Sequence, residues 1–160
     1  MTHVLRVEGG QPLHGTISVR GAKNFVSKAM VASVLGQSPS QLRNVPLIRD
    51  VDVVTNMLAA HGVDVDFDED EGVLLLDPAN VETAAVGDID ALSGSSRIPI
   101  LFCGPLLHRL GEAFIPELGG CAIGDRPIDF HLEGLRRFGA EVIKESGGVR
   151  LIAPAGGLKG

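Results

Sequence analysis

Residues 51–65 read VDVVTNMLAAHGVDV, and residues 128–142 read IDFHLEGLRRFGAEV. The two stretches share one pattern, because Asp52 recurs as Asp129 and Gly62 as Gly139, each 77 residues later. Each stretch predicts an amphipathic helix that ends at a glycine able to adopt a left-handed backbone. We therefore expect two copies of one structural unit.

Further elements are predicted around each copy. Upstream lie a helix and a short strand, and downstream lies a strand hairpin whose apolar residues alternate. A strand ahead of the first helix would complete a βαβαββ unit. The predicted ranges are 16–20, 24–35, 41–44, 63–67 and 73–76 in the first copy, and 96–108, 112–115, 140–144 and 149–152 in the second. A further edge strand is predicted at Val4–Glu8.

The composition of the chain limits its class. Its 160 residues are 44% hydrophobic and 21% charged, which is enough for a packed core. A net charge of −6 argues against nucleic acid as the main partner. The N-terminus lacks the apolar region of a signal peptide, and no apolar run is long enough for a membrane span. We expect a cytoplasmic protein that binds neither nucleic acid nor membrane.

One loop has the composition of an anion site. Residues 119–129 read GGCAIGDRPID and come directly before a predicted helix, whose first N–H groups and dipole suit phosphate. Arg126 can grip phosphate oxygens bidentately, and Cys121 would lie in an electropositive setting that favours its thiolate. The other cysteine, Cys103, follows apolar neighbours and is interpreted as a buried small hydrophobe.

Three segments resemble a known family. The residues are GAKN at 21–24, Arg97, and GCAIGDRP at 120–127. They are similar to the UDP-N-acetylglucosamine 1-carboxyvinyltransferases, a family of enolpyruvyl transferases. The resemblance covers essentially the whole chain and implies the N-terminal two-fifths of such an enzyme. It also implies the family's α/β (α+β) fold, an inverse α/β barrel whose two domains contain six βαβαββ units. Residues 1–20 would then be a strand segment of the second domain, and residues 21–160 a partial first domain with repeats at about 21–90 and 91–160.

The resemblance implies a reaction and roles for individual residues. Members of the family transfer the enolpyruvyl group of phosphoenolpyruvate to the 3′-hydroxyl of UDP-N-acetylglucosamine, the first committed step of peptidoglycan precursor synthesis, and fosfomycin inhibits them. Cys121 would donate the proton and be the group that fosfomycin alkylates. No metal or organic cofactor is implied. The substrate-binding residues would be Lys23 for phosphoenolpyruvate, Asn24 beside the reacting groups, Arg97 for an anionic group, Arg126 for phosphate, and the backbone of Pro127, Ile128, Asp129 and Phe130 for the nucleotide sugar.

Other interpretations stay open. The chain could act on shikimate 3-phosphate, although that related family lacks the cysteine loop, or it could be a non-catalytic nucleotide-sugar-binding paralogue. Asn24 could be a helix cap, Lys23 and Arg97 could be solvated, and Asp129 could serve only to start a helix, as Asp52 does. The five histidines have no ligand spacing and are interpreted as structural or exposed. We expect the full-length enzyme to be monomeric, and this chain alone to be inactive and to self-associate through exposed apolar helix faces.

Overall fold

The computed structural model describes residues 4–93, 96–117 and 127–160. Within these ranges the chain forms five α-helices, six β-strands and one 3-10 turn. In chain order they are α1 (Lys23–Ala32), the 3-10 turn (Ser33–Leu35), β1 (Ser40–Leu42), α2 (Arg49–Ala60), β2 (Asp64–Asp68), β3 (Val73–Asp77), α3 (Val86–Ser93), α4 (Pro99–Leu110), β4 (Glu112–Pro116), α5 (Asp129–Arg137), β5 (Glu141–Glu145) and β6 (Gly148–Ile152).

The predicted internal repeat is confirmed. Each copy contains a helix, a strand, a second helix and a hairpin, and each forms a three-stranded antiparallel sheet with the last strand in the centre. The strand order is β1-β3-β2 in the first sheet and β4-β6-β5 in the second. Leu76 of β3 pairs with Val65, and Leu151 of β6 pairs with Val142, so the paired strands of the two hairpins correspond in register, although the second turn is two residues shorter.

Two parts of the prediction differ from the structure. The strands predicted at 4–8 and 16–20 are absent, and residues 4–20 contain neither helix nor strand. A strand needs a neighbouring edge for its hydrogen bonds, and no described strand pairs with this segment. Val4 and Ile17, which alternation would place in a sheet, are 85% and 88% exposed. Helix α3 was not predicted, because its eight residues carry a weak apolar pattern between the two repeats.

The two repeats share one hydrophobic core. Helix α1 packs against α2 and α4, α2 against α3, and α3 against β4, so helices of the first copy contact the second copy directly. The core side chains follow helical spacing in α1, α2 and α4 and alternate along β3, where Leu74 and Leu76 are fully buried. Each such leucine contributes roughly 1.5–3 kcal/mol through removal of its apolar surface from water.

Helix α5 is the least buried of the paired helices. It packs against β5 and buries Leu132, but Phe130 and Phe138 are 86% and 47% exposed. Its counterpart α2 buries Val51, Val54, Met57 and Leu58. The expected exposure of apolar helix surface is confirmed at α5.

Candidate active site

Three helices of the core begin around one cleft. We call it the α1–α4 cleft; its volume is about 320 Å³ and it is lined by Lys23, Asn24, Ser27, Lys28, Asp50, Ser96, Arg97, Ile98, Ile100 and Leu101. These residues come from the first two turns of α1, the first turns of α2 and α4, or the residues just before α4. Among the described residues, no side chain caps the first turn of any of these helices. Their backbone N–H groups and dipoles therefore favour negative charge in the cleft.

The start of α1 is fixed by contacts of the preceding residues. The N–H of Gly21 donates to the carbonyl of Asn44 at 2.9 Å, and a Cβ at Gly21 would lie 2.8 Å from that oxygen. Arg20 donates to the carbonyls of Val45 and Asp70 at 3.2 and 3.1 Å. These bonds connect the residues two and three positions before Lys23 to the loop after β1 and to the turn between β2 and β3, and so set where the Lys23 side chain begins.

Charged groups in the α1–α4 cleft are mainly cationic. Nζ of Lys23 lies 3.2 Å from Oδ2 of Asp50, which joins the starts of α1 and α2. Lys28 folds back one turn, and its Nζ donates to the carbonyl of Asn24 at 2.8 Å. With Arg97 the cleft contains three cations and one carboxylate. This balance suits an anionic ligand.

A second cleft lies next to the first. We call it the α5 cleft; its volume is about 420 Å³ and it is lined by Arg97, Pro116, Glu117, Pro127, Ile128, Asp129, Lys144, Glu145, Gly148 and Val149. Arg97 lines both clefts, so it lies between them. No side chain among the described residues caps the start of α5.

One carboxylate of the α5 cleft is already paired. Glu145 accepts from Nε and Nη2 of Arg150 at 2.7 and 3.2 Å. The hydrogen bond and the charge of Glu145, and more weakly those of Glu112, raise the pKa of Arg150 above its ordinary value. Arg150 also lies 5.9 Å from the centre of the Phe114 ring. Lys144 of β5 also lines this cleft and adds a cation to it.

The structure brings together most of the predicted substrate residues. Lys23, Asn24 and Arg97 share the α1–α4 cleft, and Arg97 shares the α5 cleft with three others, namely Pro127, Ile128 and Asp129. The side chain of Phe130 lies elsewhere, in a groove between α4 and α5. Cys121 and Arg126 lie outside the described residues.

Sequence reasoning did not single out Asp50 or Lys144, and it interpreted Lys28 as a solvated lysine on a polar helix face. The acid that recurs between the two copies is Asp52, which matches Asp129, so Asp50 does not stand out from the pattern. The repeat aligns Asp50 with Pro127, and this difference between the copies was a signal that could have found it. Lys28 and Lys144 are exposed on regular elements, where a lysine alone does not indicate a site.

The segment that contains the cysteine is longer than its counterpart in the first repeat. Residues 43–48 connect β1 to α2, whereas residues 117–128 connect β4 to α5, which is twice as long. The extra residues include Cys121. Because a short connection suffices between the corresponding elements of the first repeat, the added length of sequence is typical of a functional segment.

Among the described residues, no three His, Cys, Asp or Glu side chains are placed to hold a metal ion. Nor does any helix in that part of the chain combine the length and apolar character needed to cross a bilayer.

Comparisons with known sequences identify close relatives. The model of the EPSP synthase (3-phosphoshikimate 1-carboxyvinyltransferase) family matches residues 7–159. The UDP-N-acetylglucosamine 1-carboxyvinyltransferases of Acidiphilium cryptum and Gluconacetobacter diazotrophicus are 41% and 43% identical to this chain over 95% and 94% of its length. One from Staphylococcus aureus is 40% identical over 96%. The chain spans 35–36% of the length of these three relatives.

Comparisons with solved structures identify the fold. The enolpyruvyl transferase NikO from Streptomyces tendae matches 94% of the chain with a TM-score of 0.77 and 21% identity. An EPSP synthase from Acinetobacter baumannii matches 86% with a TM-score of 0.63 and 18% identity. In each case the match covers 32% of the solved chain. The predicted enolpyruvyl-transferase fold is therefore confirmed for this portion.

Proposed function

Because this chain belongs to the EPSP synthase (3-phosphoshikimate 1-carboxyvinyltransferase) family, we propose that it supplies substrate-binding and proton-donating residues for enolpyruvyl transfer to the 3′-hydroxyl of UDP-N-acetylglucosamine. The activity belongs to a protein of the relatives' length, of which this chain represents about a third. Relatives that bear the name of this activity are about 40% identical to the chain. The reaction would serve peptidoglycan precursor synthesis, and fosfomycin would inhibit it.

The observation that carries the proposal is the meeting of Lys23, Asn24 and Arg97 in one cleft. Arg97 follows Lys23 by 74 positions in the sequence, yet all three residues line one space at the starts of α1 and α4. Phosphoenolpyruvate carries a phosphate and a carboxylate, so its binding needs several donors and cations close together. The α1–α4 cleft offers such groups, and the α5 cleft beside it offers room for the nucleotide sugar.

Each proposed residue has a defined chemical task. Lys23 and Arg126 bind phosphoenolpyruvate, Asn24 orients the reacting groups, and Arg97 holds negative charge between the two clefts. The sugar 3′-oxygen bonds to C2 of phosphoenolpyruvate as the hydroxyl proton leaves to a base, and Cys121 gives its proton to C3. The bond from C2 to the phosphate oxygen then breaks, C3 loses a proton, and the enol double bond re-forms. The backbone at Pro127, Ile128, Asp129 and Phe130 lines the nucleotide-sugar site.

A second candidate is transfer to shikimate 3-phosphate. The description of the matching family model favours it, since that description names this reaction. The similar relatives favour the nucleotide sugar, as does the cysteine within the longer segment between β4 and α5. A non-catalytic protein that binds a nucleotide sugar is the third candidate, and it predicts an unreactive Cys121.

Thiol alkylation tests the proposal. The chain is incubated with fosfomycin, with and without UDP-N-acetylglucosamine, and analysed by intact mass and peptide mapping. The Cys121 thiolate would attack an epoxide carbon of fosfomycin, the ring would open, and its oxygen would take up a proton. We expect one adduct, on Cys121, that forms faster with the nucleotide sugar. If a chain of the relatives' full length also remained unlabelled, the non-catalytic candidate would replace the proposal.

The second cysteine provides an internal control. Cys103 is buried in α4, and burial raises the pKa of its thiol to about 12, so it stays protonated near neutral pH. Cys121→Ser should therefore abolish labelling of the native chain and leave Cys103 unmodified. Labelling of Cys103 in the native chain would show that the reaction reports unfolding of the chain and not binding at a specific site.

Location and assembly belong to the same proposal. We place the protein in the cytoplasm with phosphoenolpyruvate and UDP-N-acetylglucosamine as its partners. The enzyme of full length would act as a monomer. This chain alone would self-associate and would be inactive, because relatives contain further residues that it lacks.

A further inference from the structure

Ser27 of α1 is a buried polar residue on the floor of the α1–α4 cleft. It is only 4% exposed, yet it lines this cleft together with Lys23, Asn24 and Lys28 of the same helix. The small part of Ser27 that remains accessible therefore faces the cleft. Because a buried hydroxyl needs a hydrogen-bond partner, the partner of Ser27 Oγ decides what this residue does.

A second buried serine shows a well-satisfied hydroxyl for comparison. Oγ of Ser33 donates to the carbonyl of Met30 at 2.7 Å, the usual length of a hydrogen bond between two oxygens. Oγ of Ser27 donates to the carbonyl of Lys23 one turn earlier, but at 3.4 Å. A bond of that length is weak, so the hydroxyl hydrogen of Ser27 is available to a better acceptor in the cleft.

The internal repeat explains the size of Ser27 but not its hydroxyl. Helix α1 buries residues 26, 27, 30 and 31, and α4 buries residues 102, 103, 106 and 107 with the same spacing. Ser27 thus corresponds to Cys103, and both copies have a small side chain at this position. Alanine would meet the same size requirement and favours a helix more than serine does. Packing alone therefore does not account for the hydroxyl.

The groups around Ser27 suit a phosphate group. Lys23 precedes Ser27 by one turn, Lys28 follows it directly, and Arg97 lines the same cleft from the start of α4. We infer that the hydroxyl of Ser27 donates a hydrogen bond to a phosphate oxygen bound in the α1–α4 cleft, which makes Ser27 a further binding residue. The inference rests on the proposed function and deepens it by adding a neutral donor to the cations.

The exchange of partners is favourable on physical grounds. When the hydroxyl of Ser27 turns to the ligand, the carbonyl of Lys23 loses a weak partner and keeps the backbone N–H that regular helix geometry provides. A phosphate oxygen carries negative charge, and a hydrogen bond to a charged acceptor is about twice as strong as one between neutral groups. The ligand therefore gains a strong bond while the helix loses a weak one.

The test compares Ser27→Ala with Ser33→Ala in this chain. Both substitutions remove one buried hydroxyl, but Ser33 is not among the residues that line the α1–α4 cleft. NMR titrations with inorganic phosphate measure the dissociation constant. We expect Ser27→Ala to raise it by about threefold to tenfold, the range of one hydrogen bond, and Ser33→Ala to leave it unchanged.

Thermal unfolding should show the opposite pattern. Ser33→Ala loses the short bond to Met30 and should unfold at a lower temperature than the original chain. Ser27→Ala loses only a weak bond and gains helix propensity, so its unfolding temperature should not fall. A purely structural role of Ser27 would move stability and not phosphate affinity.

Salt separates the hydroxyl from the cations. Lys23→Gln removes a charge, so its effect on phosphate affinity should shrink as salt screens that charge. Ser27→Ala removes a neutral donor, so the ratio of its dissociation constant to that of the original chain should be the same at low and high salt. Titrations at both salt concentrations measure these ratios.

The inference is overturned if Ser27→Ala binds phosphate as tightly as the original chain, if Ser33→Ala weakens binding equally, or if the original chain binds no phosphate. Weaker binding together with a lowered unfolding temperature in Ser27→Ala would also overturn it. Failure of the proposed function has a different signature. Ser27→Ala would still weaken phosphate binding, but phosphoenolpyruvate would bind no better than phosphate and Cys121 would resist fosfomycin in a chain of the relatives' full length.

Discussion

His61 stacks on Phe102, with ring centroids 5.7 Å apart and planes inclined by 27°. His61 follows α2 in the first repeat, and Phe102 lies in α4 of the second, so the contact joins the two copies inside the core. Nδ1 of His61 lies 3.2 Å from the N–H of Ala84 and 3.1 Å from the carbonyl of Glu82. The first contact needs an unprotonated Nδ1 and the second a protonated one. We favour the first, because the Ala84 N–H must find an acceptor.

The buried imidazole predicts that acid weakens the fold. Burial lowers the pKa of His61 below its ordinary 6.5, and the Glu82 carbonyl, which can accept a hydrogen bond only when Nδ1 is protonated, opposes this only in part. The unfolded chain therefore binds more protons than the folded chain below about pH 6.5, so the free energy of unfolding decreases as pH falls through that value. Urea unfolding between pH 8 and pH 5 measures the decrease.

Two variants separate His61 from the other titrating groups. His61→Gln keeps an acceptor for Ala84 but cannot titrate, so its unfolding free energy should fall less steeply with acid. His108→Gln removes an exposed histidine of α4, and its unfolding free energy should depend on pH as that of the original chain does. Equal slopes for all three proteins would contradict the role assigned to His61.

Gly72 is required where Arg20 meets the first hairpin. Its φ is +65°, and a Cβ there would overlap the guanidinium of Arg20 and lie 3.2 Å from the carbonyl of Val45. Gly72→Ala should therefore lower the free energy of unfolding by at least about 1 kcal/mol, because it adds left-handed strain and displaces Arg20. The midpoint of urea unfolding measures this loss.

Gly87 provides the matched control for that substitution. It lies in α3 without positive φ, and a Cβ there would meet nothing within 4 Å. Gly87→Ala should leave stability unchanged or raise it by up to about 1 kcal/mol through helix propensity. Equal losses at both positions would show that the contact with Arg20 is unimportant.

The sequence predicted the elements that local pattern determines. The helices at α1, α2, α4 and α5 and both hairpins follow from apolar spacing and from terminal glycines such as Gly62 and Gly139, whose φ values are +77° and +94°. The strands expected at 4–8 and 16–20 do not form. Alternation of apolar and polar residues defines the two faces of a strand, but it does not supply a neighbouring strand to pair with. Pairing depends on distant residues, which a local pattern does not contain.

The candidate site was predictable in its parts but not in its arrangement. Three residues of the α1–α4 cleft, Lys23, Asn24 and Arg97, came from a family resemblance, and the structure places them in one cleft. The contact between Lys23 and Asp50 was not predictable, because it depends on the angle at which α1 packs against α2. For the same reason, no pattern in the sequence showed that Arg97 would line two clefts.

Self-association of this chain should depend on α5. Phe130 and Phe138 line an apolar groove between α4 and α5 and remain largely exposed, so contact between copies would remove them from water. Phe130→Ser with Phe138→Ser should shift the sedimentation profile toward monomer. Phe25→Ser, at an exposed phenylalanine of α1, should have a smaller effect. A monomeric original chain across the concentrations tested would contradict the prediction.

Arg97 should affect the binding of two different ligands, because it lines both clefts. Arg97→Gln is expected to raise the dissociation constants of both inorganic phosphate and UDP-N-acetylglucosamine by about tenfold, the scale of a lost hydrogen bond from a charged donor. Arg97→Lys should recover only part of the lost affinity, since an ammonium lacks the planar fork of a guanidinium.

Lys23→Gln should weaken the binding of phosphate and leave the binding of the nucleotide sugar nearly unchanged, because Lys23 lines only the first of the two clefts. Titrations followed by NMR measure both dissociation constants, with Arg43→Gln as a control because Arg43 lines neither cleft. If Arg97→Gln weakened one ligand alone, Arg97 would belong to one site, and the two clefts would not be coupled through it.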